Sequence, residues 1–218
     1  QKLHVVFCVD RAGLVGSDGE THQGVFDVSF LSSVPGMTIL APASFQELHD
    51  MLGYALHDID GPVAVRYPRG GEGAYKDSLV AAESVLREGS DLTMVCYGTM
   101  VNEVLEAADK LEARGISAQV LKLGMLRPNR FSLCLESLRK TGRLLVAEEV
   151  CQSGCIGSQI ITTAVTEGIE LKAVKLLNLG SGIVSHGKVS ELLQENGLDA
   201  AAIADRAQEL CGNGIKLQ

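Results

Sequence analysis

Four side chains stand out by type and spacing: Arg11, Asp18, His22 and Arg69. Two arginines suit a phosphate or a carboxylate, because the guanidinium fork bonds such groups through paired N–H donors. Histidine changes protonation near neutral pH, which suits proton transfer. Asp18, followed by Gly19, reads on its own as an ordinary turn residue. Three of the four lie in one stretch, residues 10–24, which holds four glycines. That density favours a loop over a helix. The plainer reading of the same residues is a solvated loop, with the arginines as surface charges and His22 capping a turn.

The flanking elements must bring these residues together. An apolar run at 3–9 is expected to be a buried strand leading into the loop. Residues 26–34 carry apolar side chains at helical spacing, and 37–41 read as a second strand. Ser44 and Glu47 have the spacing of a capping box, which starts a helix to His57. Residues 63–67 read as a third strand, closed by Pro68-Arg69-Gly70-Gly71. Alternating strands and helices imply right-handed crossovers and a parallel sheet, whose strands end at one edge. That topology carries Arg11, Asp18, His22 and Arg69 towards one crevice. Residues 72–79 read as a linker. Residues 80–87 read as a short strand or an extended lead-in, and strands are then expected at 92–97, 117–123, 143–150 and 171–177, with helices following each of these four. The expected fold class is therefore α/β, with two α/β units and mainly parallel sheets, divided as residues 1–75 and 76–218.

The chain has 218 residues, 46% hydrophobic and 21% charged, enough for a sizeable core. Its net charge of −8 argues against a general nucleic-acid surface. No apolar run approaches the roughly 18 residues of a membrane span, and no signal peptide is visible. The first residue is glutamine, so a piece of a longer chain is expected. Cys8 and Cys96 sit in apolar runs and read as core residues. Cys151 and Cys155 lack a second Cys/His pair at zinc spacing, and free thiols in a reducing cytoplasm are expected. Glu148 and Glu149 end a strand, where neighbours point to opposite faces, which speaks against a paired acid and base. His186 reads as a loop residue. The glycine-rich segments at 70–73, 154–157 and 180–182 match no nucleotide-binding fingerprint.

Asp10-Arg11-Ala12-Gly13, then Asp18-Gly19-Glu20-Thr21-His22-Gln23-Gly24, then Arg66-Tyr67-Pro68-Arg69-Gly70 resemble the 1-deoxy-D-xylulose-5-phosphate synthase family. These are thiamine-diphosphate enzymes of the transketolase type. The second half is similar to the family's transketolase C-terminal domain through Tyr97-Gly98-Thr99 and Leu126-Arg127-Pro128. The resemblance makes residues 1–75 the later part of a pyrimidine-binding domain. It implies a condensation of pyruvate with D-glyceraldehyde 3-phosphate that releases carbon dioxide and serves isoprenoid precursor and thiamine biosynthesis. It further implies thiamine diphosphate and Mg2+ as cofactors, a cytoplasmic homodimer, and neither a nucleic-acid nor a membrane partner. By motif match, Arg11 and Arg69 hold the acceptor's phosphate, while His22 and Asp18 are the catalytic candidates. No Gly-Asp-Gly metal motif and no cofactor-activating glutamate motif occurs here. The resemblance therefore puts the metal ligands and main cofactor determinants upstream, and the chain alone is expected to be inactive and to self-associate. Two other readings stay open. One is the C-terminal subunit of a split transketolase or of a 2-oxo-acid dehydrogenase E1 beta. The other is a non-catalytic α/β assembly module.

Overall fold

The computed structural model describes residues 3–212. The first part runs β1 (Val5–Val9), α1 (Asp27–Ser32), β2 (Thr38–Leu40), α2 (Phe45–His57) and β3 (Pro62–Arg66). After an extended stretch come β4 (Glu83–Arg87), β5 (Leu92–Cys96), α3 (Met100–Glu112), β6 (Ala118–Leu123) and β7 (Met125–Arg127). The chain continues through α4 (Ser132–Thr141), β8 (Arg143–Ala147), α5 (Ile156–Thr166), β9 (Ala173–Leu177), α6 (Val189–Glu195) and α7 (Ala200–Gly212).

The strands form a four-stranded sheet, ordered β1-β3-β2-β7, and a five-stranded sheet, ordered β4-β6-β5-β8-β9. Pairing is parallel except for β2 with β7 and β4 with β6. In the second sheet β5 is buried throughout. Its Met94 packs with α3 and α7, and its Val95 packs with α4 and α5. Alternate side chains thus feed two helical layers, as a doubly covered parallel sheet requires. α2 begins where Ser44 Oγ accepts the Glu47 backbone N–H at 3.0 Å. It then buries Met51 and Ala55 against Leu40, Val63 and Val65.

Several expectations are corrected. The first strand is an edge strand, and it is not buried: Val5 is 40% exposed and Phe7 45%. Cys8 on this strand is also exposed, so it is not a core residue. Only half of the capping box forms. The Glu47 carboxylate accepts from Ala43 N at 2.7 Å, one residue before the cap, because its other oxygen is taken by Lys122. The segment after Leu123 is a further strand, β7, and it crosses over to pair with β2. The two halves also share a core in which Val28, Ile39 and Ala64 pack with Leu121, Leu126 and Val146.

Glu47 and Lys122 form an ion pair with both side chains fully buried. The Lys122 Nζ also lies 5.7 Å from the Tyr75 ring centroid. Stripping one partner leaves an uncompensated charge in low dielectric, which typically costs about 3–5 kcal/mol, whereas replacing both is far milder. Lys122→Met should therefore destabilise strongly in urea unfolding. Adding Glu47→Gln should restore part of the loss. A double variant no more stable than Lys122→Met would show that the unpaired carboxylate is not the source of the cost.

Candidate functional site

β1 and β3 run in parallel and end together, which delivers the 10–24 loop beside the 67–71 turn. Tyr67 N bonds Val9 O at 3.0 Å and Ala12 N bonds Tyr67 O at 3.0 Å, tying the two exits. The loop closes on itself through Gly13 and Gly24, whose N–H and C=O groups exchange bonds of 2.8 and 2.9 Å. Gly24 has no substitute there: a Cβ would stand 1.8 Å from Arg11 O. Arg11 itself takes a left-handed backbone conformation, with φ of 61°.

The turn brings three of the four sequence-singled residues into contact. Asp18, largely shielded from solvent, accepts from Arg11 Nε at 3.0 Å and pairs with the Arg69 guanidinium. Arg11 also contacts Asp10. A carboxylate thus sits between two guanidiniums, each of which has five N–H donors. Arg69 lies on the wall of a cleft of about 390 Å³, with Leu14, Thr99, Asn102 and Glu149. His22 is not part of this cluster. It is exposed in a short 3-10 turn, and its Nδ1 lies 3.1 Å from Thr21 Oγ1. His186 is exposed in the loop after β9, and Cys151 and Cys155 are buried free thiols.

Behind the cleft lies a buried polar chain that the sequence reading missed. Arg66 holds Asp27 through bonds of 2.7 and 3.3 Å and stands 5.5 Å from the Tyr97 ring centroid. Burial works against the Arg66 charge, yet Asp27 carries its pKa above the ordinary value. Tyr97 donates to Glu148 at 2.8 Å; burial, with the Glu148 charge, pushes the phenol well up. Glu148 also accepts from Ile156 N and Gly157 N at 3.0 Å, which caps α5 with a carboxylate. Glu149 turns the other way, to Leu14 N at 3.0 Å. Charged residues at the ends of apolar strand runs, Arg66 and Glu148-Glu149, were the available signal.

The transketolase pyrimidine-binding domain matches residues 1–71, and the transketolase C-terminal domain matches residues 82–203. The chain belongs to the transketolase family. A 1-deoxy-D-xylulose-5-phosphate synthase from Chlorobium luteolum is 40% identical over 215 residues, covering 96% of this chain and 34% of that protein. One from Heliobacterium modesticaldum is 42% identical over 216 residues, covering 96% and 33%. The chain therefore spans about a third of the length of these relatives. A solved structure described as a split gene transketolase, inactive beta4 tetramer, superposes with a TM-score of 0.83 at 29% identity, covering 96% of this chain and 68% of that one. A transketolase mutant from Pichia stipitis shares the fold, with a TM-score of 0.74 at 17% identity, covering 96% and 30%.

Among the described residues, no group of three or more His, Cys, Asp or Glu side chains could hold a metal ion. What the site does offer is the Arg69 guanidinium on the lining of a cleft, paired through Asp18 with Arg11. No helix among the described residues is long and apolar enough to cross a membrane.

Burial raises both Glu148 and Glu149 above the ordinary value of 4.5, against backbone N–H donors that pull them down. Just above 4.5 the folded chain therefore holds protons that the unfolded chain has lost. Their contribution to stability falls as pH rises through that window. Replacing both by glutamine should flatten this part of the stability profile between about pH 5 and about pH 7. Urea unfolding at the two pH values checks it. Equal slopes for the parent and the double variant would remove these carboxyls as the source.

Proposed function

We propose that this chain supplies the acceptor-binding part of a thiamine-diphosphate-dependent synthase. The full-length protein would condense pyruvate with D-glyceraldehyde 3-phosphate to give 1-deoxy-D-xylulose 5-phosphate and carbon dioxide. The observation that carries the reading is the Arg11–Asp18–Arg69 cluster, whose Arg69 lines the cleft. Relatives about 40% identical that bear the synthase name support it. Residues 1–75 are read as the partial pyrimidine-binding domain and 76–218 as the C-terminal domain.

The carbon–carbon chemistry of such a reaction belongs to thiamine diphosphate, held with Mg2+ by other parts of the protein. This chain's residues bind and orient. Arg11 and Arg69 take the acceptor's phosphate through charge-assisted bonds. Asp18 preorganises the two guanidiniums and, as phosphate takes their donors, becomes available to a substrate hydroxyl. His22, exposed on the same loop, has the chemistry to move a proton near the reacting carbon. A homodimer in the cytoplasm is the setting that goes with this reading. A second reading, as one subunit of a split transketolase, is favoured by the split-gene likeness and by the share of that chain covered. It differs in the acceptor.

Arg69→Ala separates these possibilities. A charge-assisted hydrogen bond contributes roughly 1.5–3 kcal/mol, so the KM for D-glyceraldehyde 3-phosphate should rise about tenfold to a hundredfold. The KM for pyruvate, which carries no phosphate, should change little. Arg69→Lys should recover part of the loss, since ammonium keeps the charge without the fork. Steady-state kinetics of the full-length enzyme with both substrates varied, beside the unphosphorylated aldehyde, provide the test. A defect just as large with the unphosphorylated aldehyde would mean that Arg69 does not read the phosphate.

A further inference from the structure

We propose that Glu149 is a positioning residue for the acceptor site: from the second α/β unit, it latches the loop that carries Arg11 and Asp18. The inference rests on the acceptor-site reading above and adds a residue to it from the other half of the chain.

Three hydrogen bonds join this loop and its exit to the second unit, beside the packing of Leu14 and Val25 among its core residues. Gln23 Nε2 donates to Ser185 O at 3.3 Å, Cys151 N donates to Val25 O at 2.8 Å, and Leu14 N donates to Glu149 Oε2 at 3.0 Å. Of the acceptors and donors on the second unit, only Glu149 is a charged side chain. Leu14 is 2% exposed, and the Glu149 oxygen is the acceptor that its backbone N–H has in the folded chain. Leu14 lies three residues from Arg11 and four from Asp18. Fixing its peptide fixes where both side chains start.

Glycine at position 13 makes the approach possible. A Cβ there would stand 2.1 Å from Glu149 Oε2, and φ at Gly13 is 79°. The second Glu149 oxygen lies 3.4 Å from Thr99 Oγ1. Thr99, Leu14, Glu149 and Arg69 all line the same cleft. The latch and the phosphate-facing arginine therefore share one wall. Glu148 does not compete for this work, because its oxygens are engaged by Tyr97 and by the start of α5.

The test has two arms. In the first, amide hydrogen exchange is followed at Leu14 in the 218-residue chain without substrate. Glu149→Ala should speed exchange at Leu14 by about tenfold or more, the scale of one lost hydrogen bond to a charged group. Amides in β5 should keep their protection, which shows that the fold is intact. Glu149→Gln, whose amide oxygen still accepts, should retain most of the protection at Leu14. Gly13→Ala, with Glu149 untouched, should reproduce the loosened loop by pushing the carboxylate away. In the second arm, kinetics of the full-length enzyme should show Glu149→Ala raising the KM for the phosphorylated aldehyde by about tenfold. The KM for pyruvate should stay within about twofold, and Glu149→Gln should recover most of the effect. Unchanged exchange at Leu14 in both Glu149→Ala and Gly13→Ala overturns the latch, whatever reaction is found. Equal rises in both Michaelis constants also overturn its role in the acceptor site. Faster exchange at Leu14, together with a full-length enzyme that performs no carboligation, supports the latch and overturns the acceptor reading instead.

Discussion

The buried Asp27–Arg66 pair is the contact on which the rest of the arrangement hangs. Both side chains are about 5% exposed. An ion pair so placed is tolerable only when its remaining donors and acceptors are met. Asp27 meets that condition by accepting Val28 N at 2.9 Å as well as the guanidinium. Arg66 bonds Asp27 twice and lies against the Tyr97 ring. Tyr97 passes the chain of contacts to Glu148, and Glu148 passes it to the start of α5. The end of β3 is thereby fixed against the second sheet. Tyr67, Pro68 and Arg69 follow Arg66 directly, so their course over the cleft is set by a charge buried just behind them.

The Arg11–Asp18–Arg69 cluster has a different character. Asp18 lies between two arginines that are both substantially open to solvent, 40% and 51% exposed. Exposed pairs are screened and individually weak. Their value here is geometric: a carboxylate keeps two flexible guanidiniums near one point. The loop beneath them is held mainly by backbone bonds and by glycines that admit close approach. Rigid support under a weakly paired charged surface suits a site whose partner comes and goes.

Much of the fold was legible in the sequence because parallel strands covered on both faces read as apolar runs. The β5, β6 and β8 runs and the amphipathic α2 and α3 are of this kind. What escaped the sequence depended on pairing at a distance. β1 is as apolar as a buried strand, but burial depends on neighbours that periodicity does not report. β7 has three residues, too few for a pattern. At the site, the motifs gave Arg11, Asp18 and Arg69, which do meet. They also suggested His22, which stands apart from that cluster. The contacts of Glu149, Tyr97 and Asp27 went unread for one reason. Their partners are 135, 51 and 39 residues away along the chain, and nothing local marks such a pair.

β7 has a consequence for how the chain comes apart. The stretch at 72–82 joins the two halves, but the strand that closes the first sheet is made by residues beyond it. Cutting that stretch would sever the backbone without freeing either half. The first would leave β7 behind only by opening its own sheet edge and by unpacking Ile39 and Ala64 from Leu121 and Val146. The two halves are separate in sequence and interlocked in space, so they should melt as one cooperative body and travel together after a nick.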